Sequence, residues 1–146
     1  ICLIFFFLTY FDVKSQELKI VDGDTIHLNS EKIRFTGIDT PELKQTCIKD
    51  NEVIQCGKKA KELLIKRIGN SKVNCIKEGK DRYGRILAEC FIENVSLSRY
   101  LVRNGYAFAY RKYSQKFIPD EDFARTNKNG MWSMKFEFPW DYRKKN

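Results

Sequence analysis

The chain has 146 residues, enough for one domain with a core of its own, and its formal charge of +8 favours a polyanionic partner, either nucleic acid or an anionic membrane surface. A solvated lysine-rich surface would give the same charge, so charge alone names no partner. There is one histidine, which excludes metal centres built on several histidines and acid–base schemes that need two.

Residues 1–11, ICLIFFFLTYF, are almost wholly apolar. The run falls short of the roughly 20 apolar residues that span a bilayer. It matches the apolar part of a signal peptide, and Val13-Lys14-Ser15 offers small residues at the positions a signal peptidase reads. Residues 1–15 therefore read as a leader and 16–146 as the folded domain, secreted or periplasmic. Once processed, such a domain does not insert in a membrane. With the leader retained it would be membrane-anchored, and an N-terminal strand is the remaining reading.

The stretch Val21–Glu42, VDGDTIHLNSEKIRFTGIDTPE, gathers Asp22, Asp24, Asp39 and Glu42 around Arg34. Thr25–Leu28 and Lys32–Thr36 read as two strands joined by a turn at Asn29-Ser30, which puts Thr25 opposite Arg34 and Asp24 opposite Phe35. Pro41 ends the second strand and forces a turn. Acids and a fixed cation at one end of a hairpin are costly to bury unless something binds there.

Beyond the leader stand four cysteines. The segment VNCIKEGKDRYGRILAEC reads as two strands about a loop at Gly79–Gly84, which sets Cys75 opposite Cys90. Cys47 and Cys56 then pair by elimination. A four-thiolate zinc site competes with this reading but lacks the close C-x-x-C spacing; two disulfides in an oxidising compartment fit better.

Gly57–Ile68 has the period of an amphipathic helix with Ala60, Leu63, Leu64 and Ile68 inward. Ser96 reads as the N-cap of a second helix, with Leu97, Leu101 and Val102 inward and Gly105 at its end. A short strand is expected around Ala107–Tyr110. A third helix is expected from Pro119-Asp120 to Asn129-Gly130, with Phe123 and Ala124 inward. Asn94-Val95-Ser96 is formally a glycosylation sequon. In the aromatic, then basic tail, Trp132 and Trp140 read as a lid on the core. Five short strands with inserted helices predict an α+β protein built on a small five-stranded OB-type barrel with three helices.

The side chains that remain for chemistry are oxygen donors and arginines. His27 reads as an ordinary strand residue, since a serine triad through it lacks a nucleophile elbow. Asp24 and Asp39 suit a hard divalent cation, although the spacing is not that of an EF-hand. Arg34 and Arg85 suit a phosphodiester, because guanidinium forks match phosphate oxygens. Glu42 could orient or deprotonate a water. Ordinary structural ion pairs are the alternative reading of the same charges.

Four motifs weigh against that alternative: Val21-Asp22-Gly23-Asp24-Thr25, Ile33-Arg34-Phe35, Ile38-Asp39-Thr40-Pro41-Glu42 and Asp81-Arg82-Tyr83-Gly84-Arg85. In order and separation they resemble those of the staphylococcal nuclease (thermonuclease) family, and the likeness runs on through Leu101–Ala107 and Gly130-Met131-Trp132. The resemblance implies a five-stranded OB barrel with three helices and calcium-dependent cleavage of DNA and RNA on the 5′ side of the phosphate. It implies that Asp24, Asp39 and the carbonyl of Thr40 hold one calcium ion, with Asp22 behind them. Arg34 and Arg85 would grip the phosphate, and Glu42 would act as general base or position the water. Arg82, Tyr83, Tyr110 and Tyr113 would contact the nucleotide, Tyr113 at a shifted spacing. A monomer preferring single strands, slowed by rising salt, is the expected behaviour. A catalytically inactive nucleic-acid-binding module and an exported interaction protein are the other two classes.

Overall fold

The turn at Asn29 and Ser30 sets the geometry of the first half of the chain. Both residues take positive φ, 50° and 69°, the twist a two-residue hairpin loop needs. A computed structural model describes residues 14–146, so the leader read over residues 1–15 lies outside the described residues apart from Lys14 and Ser15.

The elements in order are β1 (Leu18–Ile20), β2 (Thr25–Leu28), β3 (Glu31–Phe35), β4 (Ile38–Asp39), β5 (Cys47–Lys49), β6 (Glu52–Ile54) and α1 (Cys56–Ile68). Then come β7 (Asn74–Lys80), β8 (Ile86–Ile92), β9 (Val95–Ser96), α2 (Leu97–Arg103), β10 (Phe108–Ala109), α3 (Ile118–Thr126), a 3-10 turn over Gly130–Ser133 and α4 (Pro139–Lys145). The main sheet runs β1-β2-β3-β8-β7, with β9 added on β8. Neighbours are antiparallel except β3 and β8, which run parallel with Arg34 opposite Leu87. The register of the first hairpin is as read from the sequence: Thr25 faces Arg34, and the Phe35 N–H donates to the Asp24 carbonyl at 2.8 Å.

The α+β class holds, but three finer expectations are not borne out as stated. No pairing among the described residues closes the main sheet into a barrel, and β4–β10 and β5–β6 form separate two-stranded ladders. The described residues form four α-helices where three were expected, the fourth being α4 in the tail. Phe123 is not inward: it is 40% exposed, with the Arg103 guanidinium 3.7 Å from its ring centre, while Ala124 is buried as expected. The acids of the first turn of α3, Asp120 and Glu121, are buried instead, and each is met by arginine. The β5–β6 hairpin was not foreseen either, although Asp50 and Asn51 carry the positive φ of a tight turn.

Two hydrophobic clusters hold the elements together. The larger is mainly aliphatic and joins the inner face of the sheet to α1 and α2 through Ile26, Ile33, Leu64, Ile92 and Leu101. Each such side chain, fully buried, contributes about 1.5–3 kcal/mol. The smaller is aromatic and sulfur-rich: Cys47, Cys56, Phe108 and Met131 at its centre, with Trp132, Phe136, Phe138 and Trp140 packed on it. Trp132 and Trp140 thus cover a core, as expected. Cys47 and Cys56 lie at disulfide distance with Cα atoms 5.8 Å apart, and so do Cys75 and Cys90, opposite each other on β7 and β8.

Candidate active site

Asp24 stands at the head of β2 and Arg34 is the next-to-last residue of β3, so the hairpin register brings them together without any long-range contact. The Arg34 guanidinium bridges two carboxylates, meeting Asp24 Oδ1 through one nitrogen and Asp39 Oδ1 at 3.1 Å through the other. Both aspartates are buried, Asp24 at 3% and Asp39 at 1% exposure. Burial alone would press the Arg34 guanidinium below its usual value, and the two facing carboxylates more than restore it. Asp24 is fixed from the other side as well. The Thr40 N–H donates to its Oδ2 at 3.1 Å, and the Thr25 hydroxyl donates to its Oδ1 at 3.1 Å.

Glu42 is placed by a buried glutamine that the sequence reading passed over. The Gln45 side chain accepts from the Glu42 N–H at 3.1 Å and donates to the Glu137 carbonyl at 2.8 Å, while the Gln45 N–H donates to the Glu42 carbonyl. The start of α1 presses on the same turn. A Cβ at Gly57 would lie 1.8 Å from the Glu42 carbonyl oxygen, so only glycine lets the helix approach this closely.

Arg85 comes from the β7–β8 loop. Asp81 Oδ1 accepts from the N–H groups of Tyr83 and Arg85, and its Oδ2 accepts from Arg85 Nε at 2.8 Å. These donations outweigh burial and hold the Asp81 carboxyl below the usual carboxylate range. The η nitrogens of Arg85 have no hydrogen-bond partner among the described residues. Tyr83 projects outward, 71% exposed, with the Arg82 and Arg85 guanidiniums 5.1 and 5.7 Å from its ring centre.

All the predicted site residues line one open cleft of about 880 Å³: Asp22, Asp24, Asp39, Thr40 and Glu42 with Arg34, Arg82, Arg85, Tyr83, Tyr110 and Tyr113. Tyr110 and Tyr113 meet edge to face at 5.0 Å, and Tyr110 also stacks on Trp140 at 5.6 Å. His27 lies off this cleft, half-buried on β2 opposite Lys32.

One member of the cleft was missed entirely. Arg143, from α4, donates to both oxygens of Asp39 at 3.1 and 2.7 Å and to Glu42 Oε1 at 2.8 Å. The hydrogen bonds to Asp39, and then those to Glu42, push its guanidinium well above the usual value. The signal was present in the tail, where Pro139 begins and Arg143-Lys144-Lys145 end a short helical segment.

Could this cleft hold a cation? Among the described residues no three His, Cys, Asp or Glu side chains converge to hold one by themselves. The donors around Asp24 and Asp39 are nevertheless hard oxygens, with Asp22 and Glu42 in the same cleft, and Arg34 and Arg143 are the guanidiniums that pair with this group directly. Burial, and then the neighbouring Asp24, push the Asp22 carboxyl up to about 6. Burial likewise raises Asp39, despite the Arg143 hydrogen bonds that oppose it. That donor set fits a hard divalent ion whose coordination is completed by backbone and water.

Residues 32–134 match the family described as Staphylococcal nuclease homologue. The chain is 30% identical over 124 residues to the probable staphylococcal-like nuclease CAN2 of Oryza sativa subsp. japonica, covering 83% of this chain and 31% of that protein. It is 34% identical over 148 residues to Endonuclease YhcR of Bacillus subtilis (strain 168), covering 86% of this chain and 12% of that one. It therefore spans about a third or less of these two relatives. An uncharacterized endonuclease of Escherichia coli is 28% identical over 143 residues, with 91% of this chain and 88% of that protein covered. With the motifs in one cleft and the match running through most of the domain, the chain belongs to the staphylococcal nuclease homologue family.

Proposed function

We propose that this chain is an exported, calcium-dependent nuclease that hydrolyses phosphodiester bonds of DNA and RNA. It breaks the bond from phosphorus to the 5′ oxygen, leaving a 3′-phosphate and a 5′-hydroxyl. One observation carries the reading: Asp24, Asp39 and Glu42 share a cleft with Arg34 and Arg85, and exposed tyrosines stand at its rim. A pure binding surface has no use for clustered acids in a phosphate groove.

Asp24, Asp39 and the Thr40 carbonyl are the residues that would hold the ion, with Asp22 behind them. When bound, the ion supplies Lewis acidity and a counter-charge for the phosphate. Glu42 is 40% exposed on its side chain and so can reach a water. It takes the proton of that water as the oxygen adds to phosphorus, and the 5′ oxygen leaves with a proton from solvent. Arg34 and Arg85 donate to the phosphoryl oxygens as their charge grows, worth about 10²-fold each if they act as oxyanion donors do. Arg82, Tyr83, Tyr110 and Tyr113 hold the flanking nucleotides, and their stacking favours single strands. The apolar leader and the two cysteine pairs at disulfide distance support an oxidising compartment, secreted or periplasmic. The chain acts as a monomer.

A second reading, a nucleic-acid-binding module without activity, draws on Arg143, which occupies both Asp39 and Glu42. Digestion of labelled single- and double-stranded DNA and RNA in calcium, magnesium or chelator separates the two. The nuclease reading expects cleavage in calcium, none in chelator, 5′-hydroxyl product ends, and a loss of about 10²-fold or more in Glu42→Gln. Binding without cleavage in millimolar calcium would establish the second reading instead.

A further inference from the structure

A second cavity, of about 430 Å³, opens beside the main cleft. Tyr110 and Lys112 line both, so the two cavities share one wall. Its floor is aromatic, formed by Trp132, Phe138 and Trp140. The stack Phe138–Trp140–Tyr110, with ring centres 4.7 and 5.6 Å apart and planes within 10°, runs from this floor to the cleft. Arg111, Lys112, Arg125 and Lys144 surround it against one acid, Glu121. That acid is already spent on Arg111 at 2.7 Å and on the Ala109 N–H at 3.0 Å. Among the described residues, Arg125 and Lys144 form salt bridges only with the half-exposed acids Asp122 and Asp141 on their own helices, contacts of little worth in water and easily exchanged for a phosphate. The Arg125 guanidinium also lies 5.7 Å from the Trp132 ring centre.

Aromatic surface interleaved with exchangeable cations is the chemistry that binds single-stranded nucleic acid: bases on the apolar floor, phosphates on the rim. The volume is that of a site for one small ligand. We propose that this cavity is a nucleotide subsite, which takes the strand as it leaves the main cleft past Tyr110. The proposal rests on the nuclease reading for its substrate class, and it adds that the chain engages more nucleotides than its cleavage site alone can hold. Long strands then bind better than short ones for a structural reason, and the extra affinity comes from the aromatic tail.

The test is binding in chelator, where nothing is cut. Fluorescence anisotropy with a labelled dinucleotide and a labelled octanucleotide compares the wild type with Arg125→Ala/Lys144→Ala. A control, Lys32→Ala/Lys66→Ala, removes the same charge from exposed positions off both cavities. The subsite predicts that the double variant loses about tenfold in affinity for the octanucleotide relative to the dinucleotide. It also predicts a salt dependence shallower by about 1.4 in log–log slope, as two lost phosphate contacts require. The control should leave the ratio between the two lengths unchanged. Equal losses at both lengths, or the same loss in the control, would overturn the subsite, because the cations would then act only as general charge. If the wild type binds the octanucleotide with this pattern but cuts nothing in calcium, the nuclease reading fails and the subsite stands.

Discussion

The acidic hairpin and the C-terminal helix meet at Asp39, but they are built in opposite ways. Asp24 and Arg34 are brought together by the hairpin register, Asp39 follows on β4 within sixteen residues of Asp24, and both aspartates are nearly closed to solvent. Arg143 arrives from 104 residues away, half-exposed, on a helix fixed by aromatic packing. The first arrangement stores charge where removal of one partner is expensive. The second reaches the same carboxylates from water, where loss of the partner is cheap. One carboxylate therefore has a rigid cation and a replaceable one.

This contrast can be broken most sharply at Arg34. Arg34→Ala leaves Asp24 buried without a counter-charge and should cost about 3 kcal/mol in urea unfolding, together with about 10²-fold or more in single-turnover rate. Arg34→Lys should recover most of the stability and little of the rate, since an ammonium cannot span both acids. Equal recovery of both would remove the bridging argument. Arg143→Ala should be milder. Stability should fall by no more than about 1 kcal/mol because the pair is partly solvated, while Glu42 loses a fixed partner and the rate changes by about tenfold. A stability loss as large as that of Arg34→Ala would erase the distinction between the two walls.

The last effect concerns Asp22 in metal-free protein and shows only in stability. Its carboxyl holds a proton up to about 6 when folded, against 3.8 as its ordinary value. Between those values the folded state binds the extra proton, so stability rises as pH falls through 6 towards 4, and above 6 the buried charge works against folding. Asp22→Asn should raise thermal stability in chelator at neutral pH, on the order of 1–2 kcal/mol, with the gain vanishing near pH 4. A gain that persists at low pH would place its origin in packing.

How much of this was legible in the sequence followed from contact distance along the chain. The Asn29-Ser30 turn gives the register of β2 and β3, and with it the meeting of Asp24, Thr25 and Arg34. The spacing of Cys75 and Cys90 gives the β7–β8 pairing in the same way. What escaped was long-range or carried the wrong period. Phe136, Phe138 and Trp140 alternate like a strand, which hid the helix that begins at Pro139 and the arginine it carries. Gln45 looked like a loop residue, because nothing local shows that its amide bonds to Glu137, 92 residues on. Phe123 fitted a helical stripe, but α3 turns its acids inward because arginines from α2 and from Arg111 are there to meet them.

The distance from Asp39 to Arg143 also bears on how the molecule is made. During synthesis the hairpin emerges early and can pair its strands at once, while α4 is still within the ribosome. A chain stalled before Pro139 would carry the acids and Arg34 but lack the guanidinium that ties Asp39 to Glu42. The carboxylates and Arg34 can thus assemble before the guanidinium that ties Asp39 to Glu42 arrives, so α4 docks onto a hairpin already formed.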